Sequence, residues 1–253
     1  MQGTSAVGSR SSLSGRGRCG PARAARALLW ILLLGASGAA LACGLHRGGS
    51  PAANRDLHGP PDVAHYIARL ESAERLEELD PEGVVQSLQL PPDAVVADIG
   101  SGPGVLSLPL ARHLSRGLVY AVDVEPRQLD ALRARATAAG IHNIVPVLAS
   151  YSDPFLPPHG VDLILIADTY HHLDQRVAYL RGLLDDLAAG GRLAILEYKP
   201  GDLPMGPPAS HKLSHEVRYA ELRAAGFERV QRIGTHRYHD FEIWRPGGTA
   251  ARH

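Results

Sequence analysis

The sequence predicts an α/β fold: a doubly wound, mostly parallel sheet with helices on both faces. Three observations carry this. Short, nearly continuous apolar runs recur between residues 94 and 198, the stretches between them place apolar residues at helical spacing, and the first run closes on a cluster of glycines. Strands that are apolar throughout must be covered on both faces, and alternation with amphipathic helices provides that cover.

The periodic region begins near Asp62. Val63, Tyr66, Ile67 and Leu70 have helical spacing, Ala73 to Leu79 continues that helix, and Asp80-Pro81 breaks it. A second short helix is predicted from Pro81 to Leu88, ending before Pro91-Pro92. Ala94 to Ile99 is the first strand. Val105, Leu106, Leu108, Leu110 and Leu114 give the next segment an apolar side, with Pro109 interrupting its helical character. Leu118 to Val122 is the second strand, Leu129, Leu132 and Ala136 mark a helix ending at Gly140, and Ile144 to Leu148 is the third strand. Val161 to Ala167 is the fourth. Leu173, Val177, Leu180, Leu184 and Leu187 share one helix face, Gly190-Gly191 ends that helix, and Leu193 to Tyr198 is the fifth strand. A helix from Ser214 to Ala225 precedes two closely spaced strands, Phe227 to Ile233 and Phe241 to Trp244, which predict a terminal antiparallel hairpin.

Hydrophobic residues make up 45% and charged residues 21% of the 253, within the range of globular domains. The 26 basic residues balance 26 acidic ones, so no global field favours a nucleic acid, and none is expected as a partner. The two cysteines, Cys19 and Cys43, both precede the periodic region, which excludes a disulfide framework or thiolate metal site within it. Irregularly spaced histidines with no H-E-x-x-H pattern give no reason to expect a metal.

Residues 1–43 read as a signal peptide or signal anchor. Arginines 10, 16, 18, 23 and 26 form a basic stretch, Ala27 to Ala42 is uncharged, and Ala40-Leu41-Ala42 is a small-x-small cleavage pattern. Sixteen uncharged residues are marginal for a full span, which favours cleavage, and Cys43 directly afterwards admits a bacterial lipoprotein site. This predicts a membrane-associated or exported protein, or a cytoplasmic one if the start codon is mis-assigned. Residues 44–61 read as a Gly/Pro-rich linker, 62–245 as the folded domain and 246–253 as a disordered tail.

The first strand ends Asp98-Ile99-Gly100-Ser101-Gly102-Pro103-Gly104. In open parallel sheets a ligand binds beyond the carboxyl ends of the strands, where strand order reverses. Dinucleotide folds use G-x-G-x-x-G to set a pyrophosphate on a helix N-terminus. Here the spacing is G-x-G-x-G with an acid two residues ahead. That suits S-adenosylmethionine (SAM), which has no phosphate and carries an ammonium that Asp98 can meet directly or through water. Asp123 closes the second strand 25 positions later and can accept both ribose hydroxyls, with Val124 against the adenine. Gly100, Ser101, Gly102 and Gly104 complete the expected cofactor loop.

On these segments, with Val161 to Ile166 and Tyr170-His171-His172-Leu173, residues 62–245 resemble a class I SAM-dependent methyltransferase. They resemble the small-molecule branch related to the ubiquinone/menaquinone-biosynthesis methyltransferases. The resemblance implies a Rossmann-like seven-stranded sheet in the order 3-2-1-4-5-7-6 with strand 7 antiparallel, in agreement with the hairpin. It also implies that the N-terminal helix bearing Tyr66, Arg69 and Arg75 covers the cofactor. The family often has an acid after the third strand, near the adenine amino group. Ser150 stands at that position here, and Asp153 is the nearest acid.

Methyl transfer is an in-line displacement in which the protein aligns the reactants and removes a proton where the acceptor carries one. The fourth strand ends Asp168-Thr169-Tyr170-His171-His172 and the fifth Glu197-Tyr198-Lys199, both at the methyl end in the inferred topology. His171 is the leading candidate base, with Asp168 and Tyr170 orienting it or the acceptor, and His172 the second candidate. The expected acceptor is small or lipophilic. The alternatives are a SAM-binding protein without catalysis, motivated by an export signal on a protein whose cofactor is made in the cytoplasm, and an NAD(P)-dependent oxidoreductase, which the glycine spacing disfavours.

Overall fold

A computed structural model describes residues 62–234 and 236–248. The signal or anchor segment, the linker and the last five residues lie outside them. Among the described residues no helix is long and apolar enough to cross a membrane.

The elements are α1 (Val63–Leu70), α2 (Ala73–Leu79), α3 (Pro81–Ser87), β1 (Val95–Ile99), α4 (Ser107–His113), β2 (Leu118–Asp123), α5 (Pro126–Ala138), β3 (Ile144–Leu148), β4 (Val161–Ala167), α6 (Arg176–Asp186), β5 (Leu187–Tyr198), α7 (His215–Ala224), β6 (Phe227–Ile233) and β7 (His239–Pro246). The sheet order is β3-β2-β1-β4-β5-β7-β6. β7 runs antiparallel to both β5 and β6, while the remaining pairs are parallel. This is the Rossmann-like order that the resemblance implies, with the terminal hairpin where the sequence predicts it.

Three local expectations change. The first helix is two helices, because Ser72 caps α2 by accepting the Arg75 N–H at 3.3 Å, and a new cap starts a new axis. Pro109 does not interrupt α4. It sits in the first turn, where backbone N–H groups have no helical partner to lose. β5 starts at Leu187, so Gly190-Gly191 lies inside the strand rather than after the helix. The register against β4 shifts there, and Gly190 takes φ 81°, which glycine tolerates.

Period-two alternation divides the core between the two faces. Leu163 and Leu165 of β4 pack with Val84, Val85 and Leu88 of α3 and Leu110 and Leu114 of α4. Ile164 and Ile166 pack on the other face with Leu180 and Leu183 of α6 and Leu222 of α7. Each of these large side chains is almost completely removed from water, at about 1.5–3 kcal/mol apiece. The middle of the sheet is therefore rigid, and the loops at its carboxyl edge are held where the site forms.

Candidate active site

β1 and β2 end side by side, Asp98 beside Ala121 and Ile99 beside Val122, and the glycine loop folds back over that edge. Its amides are already bonded. Gly100 and Ser101 donate to the Val122 carbonyl at 2.8 and 3.0 Å, Gly102 to the Asp123 carboxylate at 2.8 Å, and Gly104 to the Ser101 carbonyl at 3.0 Å. Gly100 has φ 75°, and a Cβ there would overlap the Thr169 side chain, so glycine lets the end of β4 close against β1. A loop whose N–H groups are spent on its own scaffold has no cradle for a pyrophosphate, which argues against the dinucleotide alternative.

Asp98 is buried and accepts the Ser107 hydroxyl at 2.6 Å. Burial pushes its carboxyl up to about 6, and the Ser107 hydrogen bond partly opposes the rise. Asp123 is also buried. It accepts N–H groups from Gly102 on one oxygen and Glu125, at 2.9 Å, on the other. Burial raises its pKa and those backbone bonds hold it back. A carboxylate oxygen has two acceptor positions, so each keeps one for a ribose hydroxyl.

Both acids line a cleft with Gly100, Ser101, Gly102, Val124, Gln128 and Ser150. The Ser101 Oγ and Gln128 Oε1 atoms are buried there with no hydrogen-bond partner among the described residues, at a cost that a polar ligand would remove. Val124 is exposed and lines the cleft, an apolar wall for a flat base. These groups fit SAM: carboxylates for hydroxyls and an ammonium, orphaned polar atoms, and no phosphate cradle. Gly104 does not line the cleft. Its φ of 88° and the Leu132 side chain beside it make it the packing glycine of the loop. Ser150 bonds back to the Asp153 carbonyl at 3.3 Å, while the Asp153 carboxylate turns away to the Phe155 N–H at 2.7 Å.

Gln128 is the lining residue that sequence reasoning missed. It continues the Leu132–Ala136 spacing of α5 one turn towards the N-terminus, a polar residue at the head of a buried helix face.

At the far end of the cleft, Tyr66 and Leu70 of α1, Arg75 and Leu79 of α2, and Asp168, Thr169, His172 and Leu173 after β4 form the walls. Asp168 holds φ 49° and is ion-paired with Arg75 and with His239 at 3.1 Å. Arg75 also bonds Glu78 at 2.6 Å, and His239 lies 3.4 Å from the same Glu78. Burial works against the Asp168 charge, but His239 and Arg75 outweigh it and hold the carboxyl below its usual range.

Of the four residues expected to act on the acceptor, Asp168 and His172 line the cleft and Tyr170 and His171 do not. Tyr170 is fully buried and donates to Glu221 at 2.9 Å, in a fork that Arg176 completes at 2.8 Å. His171 is buried with its Nδ1 2.9 Å from Glu197, which also accepts the His171 backbone N–H at 3.3 Å. Burial disfavours the His171 cation, but Glu197 outweighs that and raises its pKa. Glu197 thus serves His171 rather than the cleft, and Lys199 donates to the His236 and Arg237 carbonyls.

Residues 96–191 match the family model described as a methyltransferase domain. The chain is 31% identical over 116 residues to aklanonic acid methyltransferase DauC of Streptomyces sp. (strain C5), covering 45% of this chain and 53% of that one. It is 31% identical over 114 residues to a release factor glutamine methyltransferase of Moorella thermoacetica, covering 45% of this chain and 39% of that one. It therefore spans about half the length, or less, of these curated relatives. The crystal structure of a SAM-dependent methyltransferase from Aquifex aeolicus superposes with a TM-score of 0.68 at 26% identity, covering 72% of this chain and 97% of the other. With the strand order, the glycine loop and the paired strand-end acids, these likenesses give the chain a methyltransferase domain on the fold of the class I SAM-dependent methyltransferases.

Proposed function

We propose that this protein transfers the methyl group of SAM to a small acceptor enclosed in the cleft. One observation carries the reading: α1 and α2 line the same cleft as the glycine loop and Asp123, so the acceptor must fit beneath two helices. A compact molecule fits there more readily than a polypeptide.

Bound SAM supplies an electrophilic methyl on a sulfonium sulfur. The chain's own residues bind and orient it. Asp123 receives the ribose hydroxyls, and Asp98, ionised in that complex, faces the ammonium. Val124 covers the adenine, with Gln128 and Ser101 taking up polar contacts. Tyr66, Leu70 and Leu79 exclude water from the transfer path, which strengthens the charge interactions inside.

Calorimetry on the full chain should show binding of SAM and of its demethylated product, S-adenosylhomocysteine, with little binding of NADH. Incubation of methyl-labelled SAM with cell extract should then place label in the small-molecule fraction. Label confined to protein would overturn the small-acceptor reading, and failure to bind either adenosyl compound would overturn the whole.

A further inference from the structure

Glu71 breaks a local rule. It is the C-cap residue of α1, where unpaired backbone carbonyls concentrate negative charge and a carboxylate is disfavoured. The fold answers with Arg135 in the last turn of α5, whose Nη1 lies 3.2 Å from the Glu71 carboxylate. The same nitrogen donates to the Pro103 carbonyl of the glycine loop at 2.7 Å. Ser72, the next residue, is the N-cap of α2, so Glu71 stands at the joint between the two helices that cover the cleft. We propose that Arg135 and Glu71 are positioning residues for the cofactor: they fasten the joint of the α1–α2 cover to the glycine loop and so set how long SAM stays bound. The proposal rests on the SAM-binding reading above.

The neighbouring contacts give the fastening its purpose. Gly102 is enclosed between the cover and α5: a Cβ there would stand 3.4 Å from Leu70 Cδ1 and 3.3 Å from Gln128 Oε1. Leu70, Gly102 and Gln128 all line the cleft, so cover, loop and α5 meet over the place proposed for the cofactor. Arg135 follows Gln128 by about two helical turns and reaches the same loop one residue further on. The two halves of the fastening differ. The Pro103 bond joins Arg135 to the loop, whose amides are already bonded to the scaffold. The Glu71 pair joins it to the cover, and the two side chains keep 33% and 34% of their surface in water. An ion pair that exposed is weak and is screened by salt. Glu71 is therefore the half that lets go when the cover lifts, while Arg135 stays with the loop. Arg75 holds the far end of the cover to Asp168 through a more buried pair, which salt screens less. A cover held firmly at the acceptor end and weakly at the cofactor end opens at the cofactor end first.

The test follows release of methyl-labelled SAM from the full chain, chased with excess S-adenosylhomocysteine and sampled by rapid filtration. At low ionic strength Glu71→Gln should release SAM about two- to fivefold faster than wild type. The gap should close in about 0.5 M NaCl, because the wild type speeds up as its pair is screened and the variant has no pair to lose. Arg135→Met frees the Pro103 carbonyl as well and should release SAM about ten- to a hundredfold faster, with a large part of that gap persisting in salt. Arg135→Lys, which keeps the charge, should recover part of the loss. A purely structural role would lower the urea midpoint of Glu71→Gln without a salt-dependent difference in release. Equal release by Glu71→Gln and wild type at low salt, or a gap that salt does not close, would overturn the proposal while SAM binding itself stood. Failure of the wild type to bind SAM would instead overturn the reading beneath it, and the proposal with it.

Discussion

The Asp123 carboxylate accepts the backbone N–H of Gly102 at 2.8 Å, so the acid proposed to hold the ribose also holds the glycine loop that lines the cleft beside it. The two residues come from different strand ends, and one hydrogen bond fixes the width of the cleft between them. Asp123→Ala therefore removes a ligand contact and a loop anchor together. SAM affinity should fall by about 1–3 kcal/mol, the scale of lost hydrogen bonds to a charged group, measured by calorimetry. Asp123→Asn keeps one acceptor oxygen and should lose less. Equal affinity in all three proteins would mean the ribose lies elsewhere.

Gly100→Ala should destabilise the fold. The residue has φ 75°, and the added Cβ would overlap Thr169. The backbone strain alone is about 1–3 kcal/mol, and the clash adds to it. A urea midpoint matching the wild type would show that β4 and β1 are not in contact there.

Asp98 gives the domain a stability cost near neutral pH. Its carboxyl is raised from an ordinary 3.8 to about 6 in the folded state, so folding favours the protonated form. The stabilisation is full below 3.8 and is lost as pH rises through 6, a difference on the order of 3 kcal/mol. Asp98→Asn should thus be more stable than wild type at pH 7.5 and similar to it at pH 4, by urea denaturation, while binding SAM more weakly at pH 7.5. If the ammonium faces Asp98, SAM binding near pH 6 should also release protons, seen as a dependence of the binding heat on buffer ionisation enthalpy.

Arg75→Met should cost about 3–5 kcal/mol at neutral pH, because it leaves Asp168 and Glu78 buried without their shared cation. Asp168 is depressed in the folded wild type, so its contribution is present above the ordinary aspartate value and lost as pH falls through the folded one. The gap between wild type and variant should therefore narrow in acid. A gap independent of pH would assign the loss to packing.

Tyr170→Phe should leave turnover and SAM affinity intact and cost about 1 kcal/mol of stability, since the hydroxyl donates to Glu221, outside the cleft. A loss of turnover without loss of stability would restore Tyr170 to the acceptor site.

The sheet and the place of the glycine loop at its edge were legible in the sequence because their signals are local. Apolar runs such as Val161 to Ala167 declare buried strands, and Gly100, Gly102 and Gly104 declare a turn whose φ values only glycine adopts at ease. Asp98 and Asp123 fall at strand ends that those runs locate. The polar partners around the far end of the cleft were not legible in the same way. His171 and His172 are adjacent in a 3-10 turn, and no spacing rule says which faces the cleft. That depends on Glu197, 26 residues later on the neighbouring strand, which claims His171. Likewise Arg75 and His239 reach Asp168 from α2 and β7, elements far from it in the chain. The sequence by itself determined the fold class, the strand order through its resemblance, and the glycine loop that lines the cleft. Tertiary structure alone decided which polar side chains are spent on one another and which are left for a ligand, because a buried charge is settled by whatever partner lies nearest in space, not in sequence.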